Sequence, residues 1–162
     1  GRLRTLVKHD TVVMIDLDHF KRVNDSEGHD AGDRVLVAFS RMLRQRLRAT
    51  DLVFRLGGEE FLLVLPDTPT EHALALLNQM RLKWNAERPL LVTFSAGIAR
   101  IDDGDLDTAM RSADGALYAA KSRGRNRFEV VTPSPDASTA YPGSGDRAAD
   151  NGVTTRPSRT TP

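Results

Sequence analysis

The 162 residues include no cysteine, which excludes a disulfide-stapled scaffold without identifying a compartment. No apolar run approaches the roughly 20 residues that a membrane-spanning helix needs, and no secretory leader is visible. An excess of one charge sign is missing too. Lys and Arg number 23 against 22 Asp and Glu, a net charge of +1, so there is no electrostatic case for a dedicated nucleic-acid or membrane-surface protein. An initiator Met is absent, and Gly1 in its place reads as a fragment or processed product. Large apolar residues are scarce in 132–162 beyond Tyr141 and Val153. That stretch is rich in Pro, Ser, Thr, Gly, Asp and Ala and cannot bury enough surface to offset the entropy of ordering it. A disordered tail is therefore expected there, after one domain over residues 1–131 that is long enough for a real core.

The most informative stretch is Arg55-Leu56-Gly57-Gly58-Glu59-Glu60-Phe61. Apolar runs flank it on both sides, so it reads as a β-hairpin turning at Gly57-Gly58, where glycine reaches the positive φ angles of a tight turn. Two carboxylates beside that turn place negative charge next to backbone that a phosphate can approach. Such acids hold hard divalent cations, which share oxygen ligands with substrate phosphates. A second acidic element strengthens this reading. Thr11-Val12-Val13-Met14-Ile15 is a continuous apolar run, as in a strand buried on both faces, and it ends on Asp16 and Asp18. An acid at the end of a buried strand is desolvated unless paired or bound to metal.

Between these landmarks, residues 30–50 are expected to form a helix. Val35, Leu36, Phe39, Met42, Leu43 and Leu47 make one apolar face, with Arg41, Arg44 and Arg48 largely opposite. A second helix is expected over 70–86, a strand over 90–99, a third helix over 107–123 stopped by Gly124, and a short strand over 127–131. The order is β-α-β-β-α-β-α-β, and its first six elements follow the ferredoxin-like pattern. The fold class is thus α/β in the α+β sense, with a mostly antiparallel central sheet flanked by helices. The first strand then lies beside the hairpin, so Asp16 and the glycine turn share one edge of the sheet.

Four separated motifs carry a family resemblance. Gly57-Gly58-Glu59-Glu60-Phe61 resembles the signature of GGDEF domains, the diguanylate cyclases, in its GGEEF form. Asp16-Leu17-Asp18-His19-Phe20-Lys21-Arg22-Val23-Asn24-Asp25 is similar to their first metal- and guanine-binding segment. Gly28-His29-Asp30-Ala31-Gly32-Asp33 matches the family's next motif, Gly-His-x-x-Gly-Asp, and residues 113–127, with Lys121, Gly124, Arg125 and Asn126, resemble the closing helix and turn. The resemblance spans roughly residues 5–131 and implies the palm-like core of nucleotidyl cyclases and many polymerases.

The implied reaction joins two GTP into cyclic di-GMP with release of pyrophosphate. A 3′-hydroxyl attacks an α-phosphorus, so phosphate charge must be neutralised and the nucleophile aligned. By resemblance Asp16 and Glu59 supply carboxylates to Mg (or Mn), the Leu17 carbonyl adds a ligand, and Glu60 assists as ligand or proton acceptor. Gly57 and Gly58 lie against the nucleotide, and Lys121 and Arg125 hold the triphosphate. Asn24 and Asp33 contact guanine, whose adjacent N1 and N2 donors a carboxylate accepts as a pair that adenine cannot offer. Arg48-Ala49-Thr50-Asp51 sits at the spacing of the family's inhibitory Arg-x-x-Asp motif, so Arg48 and Asp51, joined by Arg81, are expected to bind cyclic di-GMP as product inhibitor.

The resemblance also implies a homodimer, because each domain holds one GTP and the two must face each other, an unknown upstream sensory domain, and a cytoplasmic setting, alone or within a larger membrane-bound protein. One departure is plain. The opening helix with Asp-x-Leu-Thr-Gly-Leu-x-Asn-Arg is absent, and Gly1-Arg2-Leu3-Arg4 resembles the residues just after that helix, so activity of this truncated chain is an open expectation. Two other readings compete. One is a non-catalytic module that binds cyclic di-GMP or GTP, against which the full set of acids and cations weighs. The other is a palm-fold polymerase fragment. The neutral charge balance and lack of an aromatic-basic groove argue against nucleic acid.

Overall fold

The computed structural model describes residues 10–102 and 105–131. The expected tail and the residues before Asp10 lie outside them. Strand β1 (Thr11–Leu17) is buried along its whole length, as its apolar run predicts. Helices α1 (Phe20–Glu27) and α2 (His29–Arg46) come next, then β2 (Leu52–Gly57), β3 (Glu60–Leu65), α3 (Thr70–Glu87), β4 (Phe94–Arg100), α4 (Leu106–Ser122) and β5 (Phe128–Val130).

Five strands form one sheet in the order β2-β3-β1-β4-β5. β1 runs antiparallel to both β3 and β4, and only the β4–β5 pair is parallel, which the α4 crossover permits. The first four strands have the ferredoxin-like order. The expected single helix after β1 is instead a pair joined at Gly28, whose φ of 85° breaks the helical path.

Side-chain alternation divides the core. Val13, Ile15, Leu17, Phe61, Leu63, Phe94, Ala96 and Ile98 meet α2 and α3 on one face. Val12, Met14, Leu62, Val64 and Ala99 meet Ala109, Ala113 and Leu117 of α4 on the other. Phe39 of α2 anchors the first face. Its ring lies 5.2 Å from Phe61, 5.1 Å from Trp84 and 5.1 Å from Phe94, two of the three contacts being edge-on. Each such pair contributes about 0.5–1.5 kcal/mol beyond its buried area. Because Phe61 directly follows Glu60, this cluster also fixes the base of the hairpin. On the second face Gly97 lets β4 approach α4. A Cβ there would fall 1.9 Å from the Ala113 carbonyl oxygen and 2.4 Å from the Leu117 nitrogen.

The expected strand over 90–99 begins only at Phe94. Upstream, Trp84 Nε1 donates to the Val92 carbonyl at 2.7 Å, and Leu91 is 91 % exposed, so this apolar stretch is a loop held by the helix. No helix among the described residues is long and apolar enough to cross a membrane.

Candidate active site at the hairpin edge of the sheet

The hairpin turns one residue later than the glycine pair predicts. Gly57 pairs with Glu60, so Gly58 and Glu59 form the turn, and the register shifts between Arg55 and Gly57. Gly58 takes a φ of 25°, and Arg55 Nε donates to its carbonyl at 3.0 Å, tying the tip to its own strand. A Cβ at either glycine would meet no atom within 4 Å. The backbone at the tip therefore borders open space, as close approach by a ligand requires.

The β1–β3 ladder decides which acid lies opposite Asp16. In the β1–β3 ladder Asp16 lies opposite Glu60, and directly opposed residues project to the same face. Glu59 meets β1 through its main chain: its carbonyl accepts from Leu17 N–H at 3.2 Å. Asp16, Leu17, Glu59 and Glu60 thus converge where β1 ends against the hairpin. The face is the one α4 covers, and Lys121 near the end of that helix reaches Asp16 Oδ2 at 2.9 Å. Burial pushes the Asp16 carboxyl above its ordinary value. The Lys121 ammonium draws it back by hydrogen bond and charge, while Glu59 and Glu60 push it up again.

The α1–α2 pair delivers a second group. Asn24 packs its side chain against the Cα of Gly32, where a Cβ would stand 1.9 Å from Asn24 Oδ1. Asp33 is the next residue, exposed at the start of α2, where it borders a groove of about 400 Å³ with Arg34, Val37, Ala38, Arg41, Glu87 and Pro89. Beyond α4, Arg125 and Asn126 form a turn in the left-handed region, with φ of 63° and 49°. Arg125 N–H donates back to the Ala120 carbonyl at 3.0 Å, which keeps Arg125 beside Lys121 at the helix end.

Of the two ways in which a strand-end acid escapes desolvation, Asp18 takes pairing rather than metal binding. The residue is only 4 % exposed, and its carboxylate oxygens accept from Ser95 Oγ at 2.7 Å, Thr93 Oγ1 at 2.6 Å and Asn126 N–H at 3.0 Å. No signal in the sequence points to these partners, which lie 75–108 residues away.

Away from this edge, Arg48 to Asp51 is a tight turn rather than the expected continuation of the helix. Arg48 N–H donates to Asp51 Oδ2 at 2.7 Å, and Asp51 N–H to the Arg48 carbonyl at 3.0 Å. Asp51 Oδ1 is buried with no hydrogen-bond partner. The turn borders a groove of about 280 Å³ with Arg44, Leu47 and Val53. Arg81 makes its contacts at the other turn, donating to the Asn126 carbonyl at 3.2 Å and lying 5.4 Å above the Phe128 ring.

The family described as diguanylate cyclase, GGDEF domain, matches residues 3–127. The chain belongs to the GGDEF family. Over 127 residues it is 44% identical to diguanylate cyclase DgcP of Pseudomonas aeruginosa, covering 74% of this chain and 19% of that protein. The GGDEF chain thus spans about a fifth of that relative's length. Among solved structures it is similar to the active GGEEF domain of a diguanylate cyclase from Vibrio cholerae, at 37% identity and a TM-score of 0.70, covering 77% of this chain and 84% of that one. It is also similar to the GGDEF domain of DgcB from Caulobacter crescentus in complex with c-di-GMP, at 30% identity and a TM-score of 0.70, covering 75% and 77%.

The donor chemistry of this GGDEF domain fits a hard divalent cation. Three carboxylates, all acting on Asp16 or belonging to it, face one ammonium, and the donors are all oxygens. Among the described residues no three His, Cys, Asp or Glu side chains gather closely enough to cage a metal on their own. Magnesium does not ask for that, since it is commonly bound by one or two carboxylates plus waters and substrate phosphates.

Proposed function

We propose that this GGDEF domain is a diguanylate cyclase that condenses two GTP into cyclic di-GMP with release of two pyrophosphates. One observation carries the reading: the open hairpin tip, the Asp16–Lys121 pair and the Glu59 and Glu60 carboxylates meet at a single sheet edge. Asp16, Glu59 and the Leu17 carbonyl would hold Mg or Mn, which when bound supplies positive charge against the triphosphate. Lys121 and Arg125 bind the terminal phosphates; as phosphate enters, the Lys121 ammonium is shared between it and Asp16. The Gly57 and Gly58 backbone allows the nucleotide to lie close to the strand. Asp33 accepts from the adjacent N1 and N2 donors of guanine and Asn24 adds a hydrogen bond at the same base, which discriminates against adenine because adenine leaves the carboxylate unmatched. Glu60, on the Asp16 face, is the acid best placed to assist removal of the 3′-hydroxyl proton.

The two nucleotides come from two protomers, so the rate per protein rises with concentration. Product inhibition by cyclic di-GMP is assigned to the turn at Arg48 and Asp51, supported by the Arg48 N–H to Asp51 hydrogen bond that fixes the turn and by the groove it borders with Arg44, Leu47 and Val53. Arg81, which donates to the Asn126 carbonyl and lies over the Phe128 ring, has no part in this reading. A cytoplasmic setting with an attached sensory domain completes it. Incubating the protein with GTP and Mg²⁺ and separating the products by chromatography tests it. Cyclic di-GMP and pyrophosphate in a 1:2 ratio are expected. Absence of cyclic product at the highest protein concentrations, with cyclic di-GMP still bound and lost on Arg48→Ala, would favour the non-catalytic binding module.

A further inference from the structure

We propose that Asp18 is a positioning residue that clamps the turn after α4 and so sets where Lys121 and Arg125 meet a triphosphate. The functional half of this proposal rests on the diguanylate cyclase reading. Non-glycine residues in the left-handed region are uncommon, and two in succession persist only where the surroundings fix them. Arg125 and Asn126 are fixed from three sides. The end of α4 holds Arg125 through the Ala120 carbonyl, Arg81 holds the Asn126 carbonyl, and Asp18 holds the Asn126 N–H.

Asp18 is suited to this by where β1 leaves it. Its own N–H donates to the Thr93 carbonyl at 2.8 Å, so its backbone is fixed beside the start of β4. Its carboxylate then spans from Thr93, just before β4, and Ser95 on β4 to Asn126 in the turn. Oδ2 already accepts two hydrogen bonds and Oδ1 one, all from neutral donors. The motif residue that most resembles a second metal acid is therefore engaged in geometry rather than in charge.

The two roles separate on substitution. Asn at this position reproduces the clamp: its amide oxygen accepts from Thr93 and Asn126, while its NH₂ donates to Ser95 Oγ, a hydroxyl that can accept as well as donate. It removes the charge that a metal ligand would need. Ala removes the clamp altogether.

The test uses the full chain as wild type, Asp18→Asn and Asp18→Ala, with two readouts. The first is amide hydrogen exchange at Asn126, followed by NMR without nucleotide. The second is calorimetric titration with GTP and with guanosine in the presence of Mg²⁺. Asp18→Asn is expected to stay within about threefold of wild type in both, as a kept hydrogen bond implies. Asp18→Ala is expected to speed Asn126 exchange and weaken GTP binding by about tenfold, while guanosine, which lacks phosphates, binds as before. If Asp18→Ala fails to fold, Asp18→Ser replaces it, since one short hydroxyl cannot bridge Ser95 and Asn126 together. Equal loss of GTP affinity in the Asn and Ala variants would overturn the proposal in favour of a charge role, and unchanged GTP affinity in Asp18→Ala would overturn it outright. A wild type that binds neither GTP nor guanosine refutes the nucleotide reading instead. The exchange arm then decides the clamp alone, and equal Asn126 protection in all forms overturns it.

Discussion

Gly32→Ala should separate affinity from stability. A Cβ at Gly32 would stand 1.9 Å from Asn24 Oδ1, 3.0 Å from Asn24 Cγ and 3.1 Å from the Phe20 ring carbon Cζ. The first two atoms are the far end of a flexible side chain, so the cheapest relief is rotation of Asn24 away from α2. That rotation costs about 0.5–1.5 kcal/mol if it leaves a rotamer well. Against it, Ala is better than Gly inside a helix by about 0.8–1 kcal/mol. The two nearly cancel, and urea unfolding should show a stability within about 1 kcal/mol of wild type. Affinity takes a different course. If Asn24 contacts guanine, moving it removes a hydrogen bond worth about 0.5–1.5 kcal/mol, at most about a tenfold loss for GTP. Calorimetry with GTP and with inorganic tripolyphosphate reads this directly, since only the first carries the base. Unchanged GTP affinity in a folded Gly32→Ala protein would refute the placement of Asn24 at the base. A stability loss above about 2 kcal/mol would show that Phe20, not Asn24, takes the strain.

Three further outcomes are expected. Gly97→Ala meets backbone rather than a side-chain tip, so β4 and α4 must separate, and denaturant unfolding should show a loss of about 3 kcal/mol. Asp16→Asn should stabilise the protein more at neutral pH than in acid. The folded carboxyl is raised above 3.8, so between that value and the raised one the native state holds more protons than the unfolded chain, and wild-type stability falls as pH rises. Thermal melting should therefore give a gap between Asp16→Asn and wild type that grows from pH 3 to pH 7; a gap that shrinks would contradict the burial of Asp16. Glu59→Gln should lower cyclic di-GMP formation by about 10²–10³-fold, the scale of losing one charge contact in a transition state. A variant with near-normal turnover would move that role to Glu60.

The sequence made the framework legible because its signals were local. The apolar run of β1 and the spacing of Val35, Phe39, Met42 and Leu43 stand where expected. Asp16, Leu17, Glu59, Glu60 and Lys121 likewise come together at one edge, while Asp33 borders a separate groove between α2 and the end of α3. Helix α1 escaped because only Phe20 and Val23 are apolar in Phe20–Glu27, too few for a period to show. The strand start at residue 90 misled because Leu90-Leu91-Val92 is apolar without being paired. In the hairpin, the glycine pair marked the turn but not its register. Alternation along β3 puts Glu60 with Leu62 and Val64 on the Asp16 face, whichever residues make the turn. Asp18 illustrates the remaining gap. Its acid type was readable, but its partners are brought to it only by the β1–β4 ladder and the α4 crossover.

The central claim is that Asp16 and the hairpin acids hold a divalent cation against a nucleotide triphosphate. Calorimetric titration of GTP with and without Mg²⁺, on wild type and Asp16→Asn, tests it most directly. Magnesium is expected to raise wild-type affinity by about tenfold or more, as one added charge contact warrants, and to change that of Asp16→Asn little. An equal magnesium effect in both proteins would contradict the account.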